Sequence, residues 1–257
     1  MANLAPATYG LATALIFGVS FLFAMLGLGG GMLYVPIFKW LRFPLQAVAI
    51  PMGLLLNGLN TLFAFIRYAR AGLVDFRGGA PAAVAALVLA PVGAWCTALV
   101  PRAWLLALFA AAVLVAGLRS LLKPGEPKGG SPLSPRRRVL IGGAVGGFAG
   151  FIGGLLGLGG GFIVAPMLME MGYPTKQAAA TTAFIVTFSS FSGFLGHMAE
   201  GHIDLLLAGL TVAAVVVGSQ LGAWFMAEKA RPAWIKRLYG VVLLAVAIKL
   251  VHGLMNG

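Results

Sequence analysis

The chain has 257 residues, of which 60% are hydrophobic and only 9% are charged, and its mean hydropathy is +0.99. Soluble domains carry about 25% charged residues, so this composition excludes an ordinary soluble protein. Apolar stretches of helical length recur along the whole chain, which predicts an all-α polytopic membrane protein. The net charge of +12 then reflects basic cytoplasmic loops, and we expect no nucleic-acid partner.

Ten apolar runs follow one another in chain order, five in each half, and the second run of each half is short. The short runs contain eleven residues and would reach only about 16 Å as helices, which is half of a bilayer core. They cannot cross a membrane alone. The runs of the first half are 8–28, 31–41, 45–66, 79–98 and 103–122, and those of the second half are 139–158, 161–171, 177–197, 205–226 and 233–253.

The two halves repeat one pattern of residues in the same order. The segment "LGLGGGMLYVP" at 26–36 matches "LGLGGGFIVAP" at 156–166. The later pairs are Pro44 with Pro174, Asp75 with Asp204, and "GAW" at 93–95 with "GAW" at 222–224. We therefore divide the chain into a first transmembrane repeat (1–122), an exposed linker rich in Pro, Gly and charge (123–138) and a second transmembrane repeat (139–257).

The basic residues distinguish two ways of placing these halves in a membrane. In a parallel arrangement each half crosses four times, eight spans in total, and eight of the 18 Lys and Arg residues fall outside. In an inverted arrangement each glycine run is the tip of a re-entrant hairpin, accompanied by three true spans. Because basic residues collect in cytoplasmic loops, we favour the inverted arrangement, although the run 8–28 is long enough to cross alone. It leaves only Lys39, Arg42, Arg102 and Lys249 outside and the linker inside.

The run "GLGGG" breaks each half at the same place. A broken helix presents free backbone N–H groups and the positive end of its dipole, which together can hold an anion, and glycine lets a ligand approach closely. Two such breaks at corresponding positions indicate a transporter site. The alternative is close helix packing, which we expect for the glycines of "GGAVGGFAGFIGGLLG" at 142–157. The predicted binding glycines are Gly29, Gly30, Gly31, Gly159, Gly160 and Gly161.

Polar side chains inside two of the long runs are further candidates for substrate binding. Amides and hydroxyls suit an oxyanion that must be bound and then released. The alternative is that Ser and Thr bond to their own helix or join neighbouring helices. The candidates are Gln46, Asn57 and Asn60 in the first half and Gln177, Thr181, Thr182, Ser189 and Ser190 in the second.

The duplicated order of G-x-G-G-G, Pro, P-x-x-A, G-x-(V/I)-D and G-A-W resembles the TauE/SafE sulfite exporter family over essentially the whole chain. The resemblance implies a permease of the bacterial cytoplasmic (inner) membrane that exports small anions, typically sulfite, sulfoacetate and related compounds. We expect a small anion and the lipid bilayer as partners, no cofactor and no metal, and we leave homodimer formation open.

Other functions stay open at this point. A channel or transporter for another small anion or sulfur species fits the same features. An intramembrane enzyme is disfavoured because His197 and His202 are five residues apart, the wrong spacing for one helical face. A soft-metal transporter is disfavoured because the chain has one Cys and ten scattered Met residues.

Overall fold

The computed structural model describes residues 6–97, 135–197 and 205–255, with scattered residues between 107 and 122. Most of the predicted run 103–122 and most of the linker therefore lie outside the described residues. The remaining predicted runs agree with the helices within a few residues, and short π-helical turns at Leu45–Ala49 and Phe225–Lys229 adjoin the third and eighth helices. The helices are α1 Pro6–Leu26, α2 Gly31–Trp40, α3 Ile50–Arg70, α4 Phe76–Cys96, α5 Pro135–Leu156, α6 Gly161–Glu170, α7 Thr175–His197, α8 Leu205–Trp224 and α9 Pro232–Met255.

Six of these helices, namely α1, α3, α4, α5, α7 and α8, are long and apolar enough to cross a membrane. Large apolar side chains such as Leu11, Val88 and Leu205 are exposed on their outer faces, where lipid would cover them. The prediction of an all-α polytopic membrane protein is confirmed.

Helices α1 and α2 form a hairpin, the first hairpin, that returns to the level where it starts. Near its tip the hydroxyls of Ser20 and Tyr34 are 2.7 Å apart. At its open end the rings of Tyr9 and Phe43 lie 6.3 Å apart, edge to face. The chain therefore runs inward along α1, turns at the glycines and runs back along α2.

Helices α5 and α6 form the second hairpin, and its turn also folds back along its first helix. A Cβ added at Gly160 would overlap the carbonyl group of Ala149, which lies more than a turn before the end of α5. After α6 the hydroxyl of Tyr173 donates a 2.9 Å hydrogen bond to Asp75, the residue that precedes α4. The second hairpin thus returns to the end of the bundle where α3 ends and α4 begins.

The outer helices of each half pack on the other half in a reciprocal way. Gly222, from one "GAW" segment, lies against the carbonyl oxygen of Phe21 in α1. Gly93, from the other, lies against the carbonyl oxygen of Phe151, the matching position in α5. Only a residue without a side chain allows this approach. The repeated segment therefore joins α1 to α8 and α5 to α4.

The predicted packing role of the glycines at 142–157 is confirmed along the contact between α4 and α5. Gly146, Gly150 and Gly154 each face the backbone of α4, where a Cβ would overlap it. Their partners Ala82, Ala86 and Ala90 advance in the same order, so the two helices run parallel.

Helices α3 and α7 occupy the centre of the fold. Of the 18-residue apolar stretches of α3 and α7, 61% and 72% are buried, against 39% in α1 and α8. The rings of Phe65 and Phe184 are 5.2 Å apart, and Gly58 faces the ring of Phe191. In these two pairs the residue number rises along α3 as it falls along α7. These equivalent helices of the two repeats therefore run antiparallel. How the halves are inserted in a membrane stays a prediction.

Candidate functional site

The turns of the two hairpins meet in the interior of the bundle. A Cβ added at Gly31 would lie 3.0 Å from the carbonyl oxygen of Leu158 in the opposite turn, and one at Gly161 would overlap the carbonyl group of Leu28. Residues 127 and 133 positions apart in the sequence therefore pack backbone against backbone. The starts of α2 and α6 face each other across this contact.

Asn57 of α3 joins the two turns to α7. The backbone N–H of Gly31 donates to its Oδ1 at 2.7 Å, and its Nδ2 donates to Ser190 Oγ, also at 2.7 Å. Neighbouring Ser189 donates to the carbonyl oxygen of Gly159 at 2.7 Å. Asn57 and Ser190 are fully buried and Ser189 is 2% exposed. The structure thus brings together predicted site residues of three kinds: the glycines of both turns, the Asn57 amide and the two serines.

The glycines of these turns have two physical reasons to be glycine. Gly29, Gly159 and Gly160 have φ values of 68°, 79° and 78°, in the left-handed region that side chains with a Cβ disfavour. The Cβ positions of Gly29 and Gly159 also coincide with the Asn57 carboxamide. The glycine runs predicted the close approach of a ligand, whereas in the structure the Asn57 carboxamide approaches these glycines.

Several backbone donors at the two facing helix starts have no partner within the described residues. Among the residues that the structure describes, no hydrogen-bond acceptor lies opposite the backbone N–H groups of Gly30 and Met32 at the start of α2, or of Gly160 and Gly161 at the start of α6. Such N–H groups and the aligned helix dipoles create a positive potential. The arrangement can hold an anion or the negative end of a dipole.

Two further predicted residues are buried and have no polar partner among the residues that the structure describes. Both amide atoms of Asn60, one turn from Asn57 on α3, and the hydroxyl of Thr182 on α7 lack a hydrogen bond within the described ranges. Both side chains are 0% exposed. An unsatisfied buried amide costs about 1–3 kcal/mol, so these groups are candidates for contact with a bound molecule.

Two of the remaining candidates, Gln177 and Thr181, lie away from this centre. Gln177 is half-buried in the first turn of α7, about 18 Å along the helix axis from Ser189. Thr181 lies about 12 Å from Ser189 by the same measure, and its Oγ1 accepts a 3.1 Å hydrogen bond from the backbone N–H of Asp75. Gln46 lies in the π-helical turn before α3, and its side chain is outside the described residues. The structure does not bring Gln177 and Thr181 to the glycine turns.

A polar contact that the sequence analysis missed fixes the open end of the second hairpin. Asp75 Oδ1 accepts from the backbone N–H of Gly78 at 2.9 Å and so caps α4. Its Oδ2 accepts from Tyr173. The aspartate is repeated at Asp204, which lies outside the described residues, and this repetition was the only signal in the sequence.

The same end of the bundle is basic. Arg67, near the end of α3, forms a 3.1 Å ion pair with Glu228, and Lys176 donates from Nζ to the carbonyl oxygen of Ala227 at 3.0 Å. Both side chains of the ion pair are largely exposed. The basic side chains near this end of the bundle include Arg67, Arg70, Arg77, Lys176, Lys229, Arg231 and Arg237.

Two half-length helices that meet start to start inside a bundle of membrane-length helices are the architecture of a polytopic membrane transporter. The sequence matches the family model "Sulfite exporter TauE/SafE" over residues 12–250. The chain therefore belongs to the TauE/SafE family of membrane transporters.

Named relatives agree with this assignment. "Probable membrane transporter protein YunE" of Bacillus subtilis is 28% identical over 89% of this chain and 92% of its own length. "Probable membrane transporter protein MJ0441" of Methanocaldococcus jannaschii is 23% identical over 80% of this chain and 82% of its own length. "Sulfite exporter TauE/SafE family protein 3" of Arabidopsis thaliana is 34% identical over 40% of this chain and 22% of its own length. No solved structure matches the chain.

Proposed function

We propose that this protein is a permease that exports small anions, sulfite or organosulfonates such as sulfoacetate, through the point where the two glycine turns meet. The observation that carries the proposal is the pair of facing helix starts, whose buried N–H groups include several without a partner among the described residues. Neutral donors of this kind bind an oxyanion without holding it as tightly as a buried cation would. The name "sulfite exporter" of the Arabidopsis relatives supports the choice of substrate class.

The positions of the acidic residues support an anion rather than a cation. Among the described residues the acids are Asp75, Glu170 and Glu228, and each lies at or beyond a helix end. No carboxylate in that part of the chain approaches the glycine turns. An interior-negative membrane potential favours the exit of an anion by about 2.3 kcal/mol per charge per 100 mV, so export needs no buried proton relay.

We further propose that the two halves are inserted in opposite directions in the bacterial cytoplasmic membrane. The antiparallel course of the equivalent helices α3 and α7 supports this arrangement. Each hairpin would then enter from its own side and return to it. The basic end that includes Arg67 and Lys176 would face the cytoplasm, as basic residues usually do.

The experiment is transport by purified protein in liposomes loaded with sulfite, sulfoacetate, sulfate, thiosulfate, acetate or chloride. We expect selective efflux of sulfite or a sulfonate from wild-type vesicles. Gly30→Leu and Gly160→Leu should abolish it, because the new side chains would overlap the Tyr34 ring and the Ala149 carbonyl group and so displace the turns. The matched control is Gly18→Leu in α1, where nothing lies within 4 Å.

The outcomes separate three cases. Efflux of a different anion in the panel would keep the site and change the substrate. Normal transport by both Gly30→Leu and Gly160→Leu would contradict the site at the glycine turns. Efflux of none of the anions by folded, monodisperse wild-type protein would contradict the permease itself.

A further inference from the structure

The Asn57 carboxamide stands where a bound anion would be expected to stand. Its Oδ1 accepts a 2.7 Å hydrogen bond from the N–H of Gly31 at the start of α2. A carbonyl or carboxylate oxygen at a helix start takes the same N–H groups that an oxyanion uses. The chain therefore fills its own candidate anion position with a neutral side chain.

The space around this carboxamide is too small for both groups at once. The Cβ positions of Gly29, Gly31 and Gly159 all lie close to Asn57, at 3.1 Å from its Cγ for Gly31 and 2.7 Å for Gly29. The carboxamide thus packs against the bare backbone of both turns. An oxyanion can reach the start of α2 only if the carboxamide moves away.

We propose that Asn57 is a displaceable gate: its carboxamide closes the start of α2 when no substrate is present, and the anion takes its place. The inference rests on the proposed function and adds how the same site opens. Asn57 is held by two hydrogen bonds between neutral groups, to Gly31 and Ser190. Hydrogen bonds to an ionised acceptor are about twice as strong, so an anion competes effectively for the Gly31 N–H.

Asn60 supplies the group that the displaced side chain or the anion meets next. It lies one turn beyond Asn57 on α3, so the two residues share a face of the helix. Both of its amide atoms are fully buried and have no hydrogen-bond partner within the described part of the chain. During transport the displaced carboxamide or the anion hydrogen-bonds to the Asn60 amide, which in the closed state has no partner among the described residues.

The test measures the half-saturating sulfite concentration for efflux from liposomes. Asn57→Ala removes the gate, so the binding-competent fraction rises and the half-saturating concentration falls about tenfold, the equivalent of one hydrogen bond. Ser190→Ala releases one of the two contacts of the carboxamide and gives a smaller fall. Asn57→Asp places a fixed negative charge at the helix start, and the half-saturating concentration rises at least about tenfold.

Ser192→Ala is the matched control. Ser192 is a buried serine on α7, like Ser190, and among the described residues its hydroxyl donates only to the carbonyl oxygen of Ser189. We expect it to transport like the wild type. If Asn57→Ala does not yield monodisperse protein, Ser190→Ala decides the question, since it retains the Asn57 side chain and removes only one of its hydrogen bonds.

A half-saturating concentration that falls in Asn57→Ala and rises in Asn57→Asp supports the gate. A rise in the half-saturating concentration in both Asn57→Ala and Ser190→Ala, with Ser192→Ala unchanged, would overturn it and make the carboxamide a direct substrate ligand. Wild-type protein that carries none of the anions would overturn the proposed function, and the gate with it.

Discussion

Replacing Gly29 by alanine tests whether the first turn must be glycine because of Asn57. Gly29 has a φ of 68°, and the three atoms nearest to an added Cβ all belong to the Asn57 carboxamide. Gly72, in the loop after α3, also has a φ of 68°, but nothing lies within 4 Å of its Cβ position. The two alanine variants therefore share the backbone strain and differ in the steric contact.

The expected magnitudes follow from these two terms. A residue with a Cβ in the left-handed region costs about 1–2 kcal/mol, which is the whole effect expected for Gly72→Ala. Overfilling a packed interior costs about a further 1–3 kcal/mol. Gly29→Ala should therefore lower the free energy of unfolding by about 2–5 kcal/mol.

The assay is reversible unfolding of the purified protein in mixed detergent micelles, with the same pair of measurements in an Asn57→Ala background. In that background the steric term disappears, and Gly29→Ala should cost about as much as Gly72→Ala. The coupling between positions 29 and 57 should be about 1–3 kcal/mol. Equal losses for Gly29→Ala and Gly72→Ala in the wild-type background, or no relief by Asn57→Ala, would refute the reasoning.

Three further predictions concern the helix ends and the orientation in the membrane. Tyr173→Phe removes the hydrogen bond to Asp75. We expect the free energy of unfolding to fall by about 1 kcal/mol, visible as a fall in melting temperature of about 2–4 °C. An unchanged melting temperature would show that this contact does not stabilise the second hairpin. Arg67→Ala breaks an ion pair whose side chains are 37% and 53% exposed, so the free energy of unfolding should fall by less than about 1 kcal/mol. A larger loss would mean that Arg67 has a structural role beyond this pair. In a Cys96→Ser background, Gly201→Cys should react with an impermeant thiol reagent added outside the cell and Ala71→Cys should not. Labelling of position 71 and not 201 from outside would reverse the proposed orientation, and equal protection of both would favour the parallel arrangement.

Local composition was sufficient to predict the helices. The short run 31–41 became α2 at Gly31–Trp40, and 161–171 became α6 at Gly161–Glu170. These segments are defined by apolar residues between glycine and loop signals that lie close in sequence. The repeat likewise predicted that the glycine turns are equivalent, and the structure places them in contact.

The partners of the site residues could not be predicted, because they lie far apart in sequence. The hydrogen bond from Asn57 to Ser190 joins residues 133 positions apart, and no local pattern specifies it. The same limit applies to Thr181, which was predicted to bind substrate together with Thr182 and Ser189 of the same apolar run. Its hydroxyl instead bonds the backbone at the start of α4, because a residue's helical face decides its partner.

The melting temperature of the purified protein across millimolar sulfite, sulfoacetate, thiosulfate, sulfate, acetate and chloride tests the central claim, an anion site between the glycine turns, most directly. A ligand that binds only the folded state at 100 times its dissociation constant adds about 2.7 kcal/mol, a rise of about 5–10 °C for a chain of this size. The account predicts such a rise with sulfite or a sulfonate and its loss in Asn57→Asp. An equal response to every anion, or the same rise in Asn57→Asp, would contradict it.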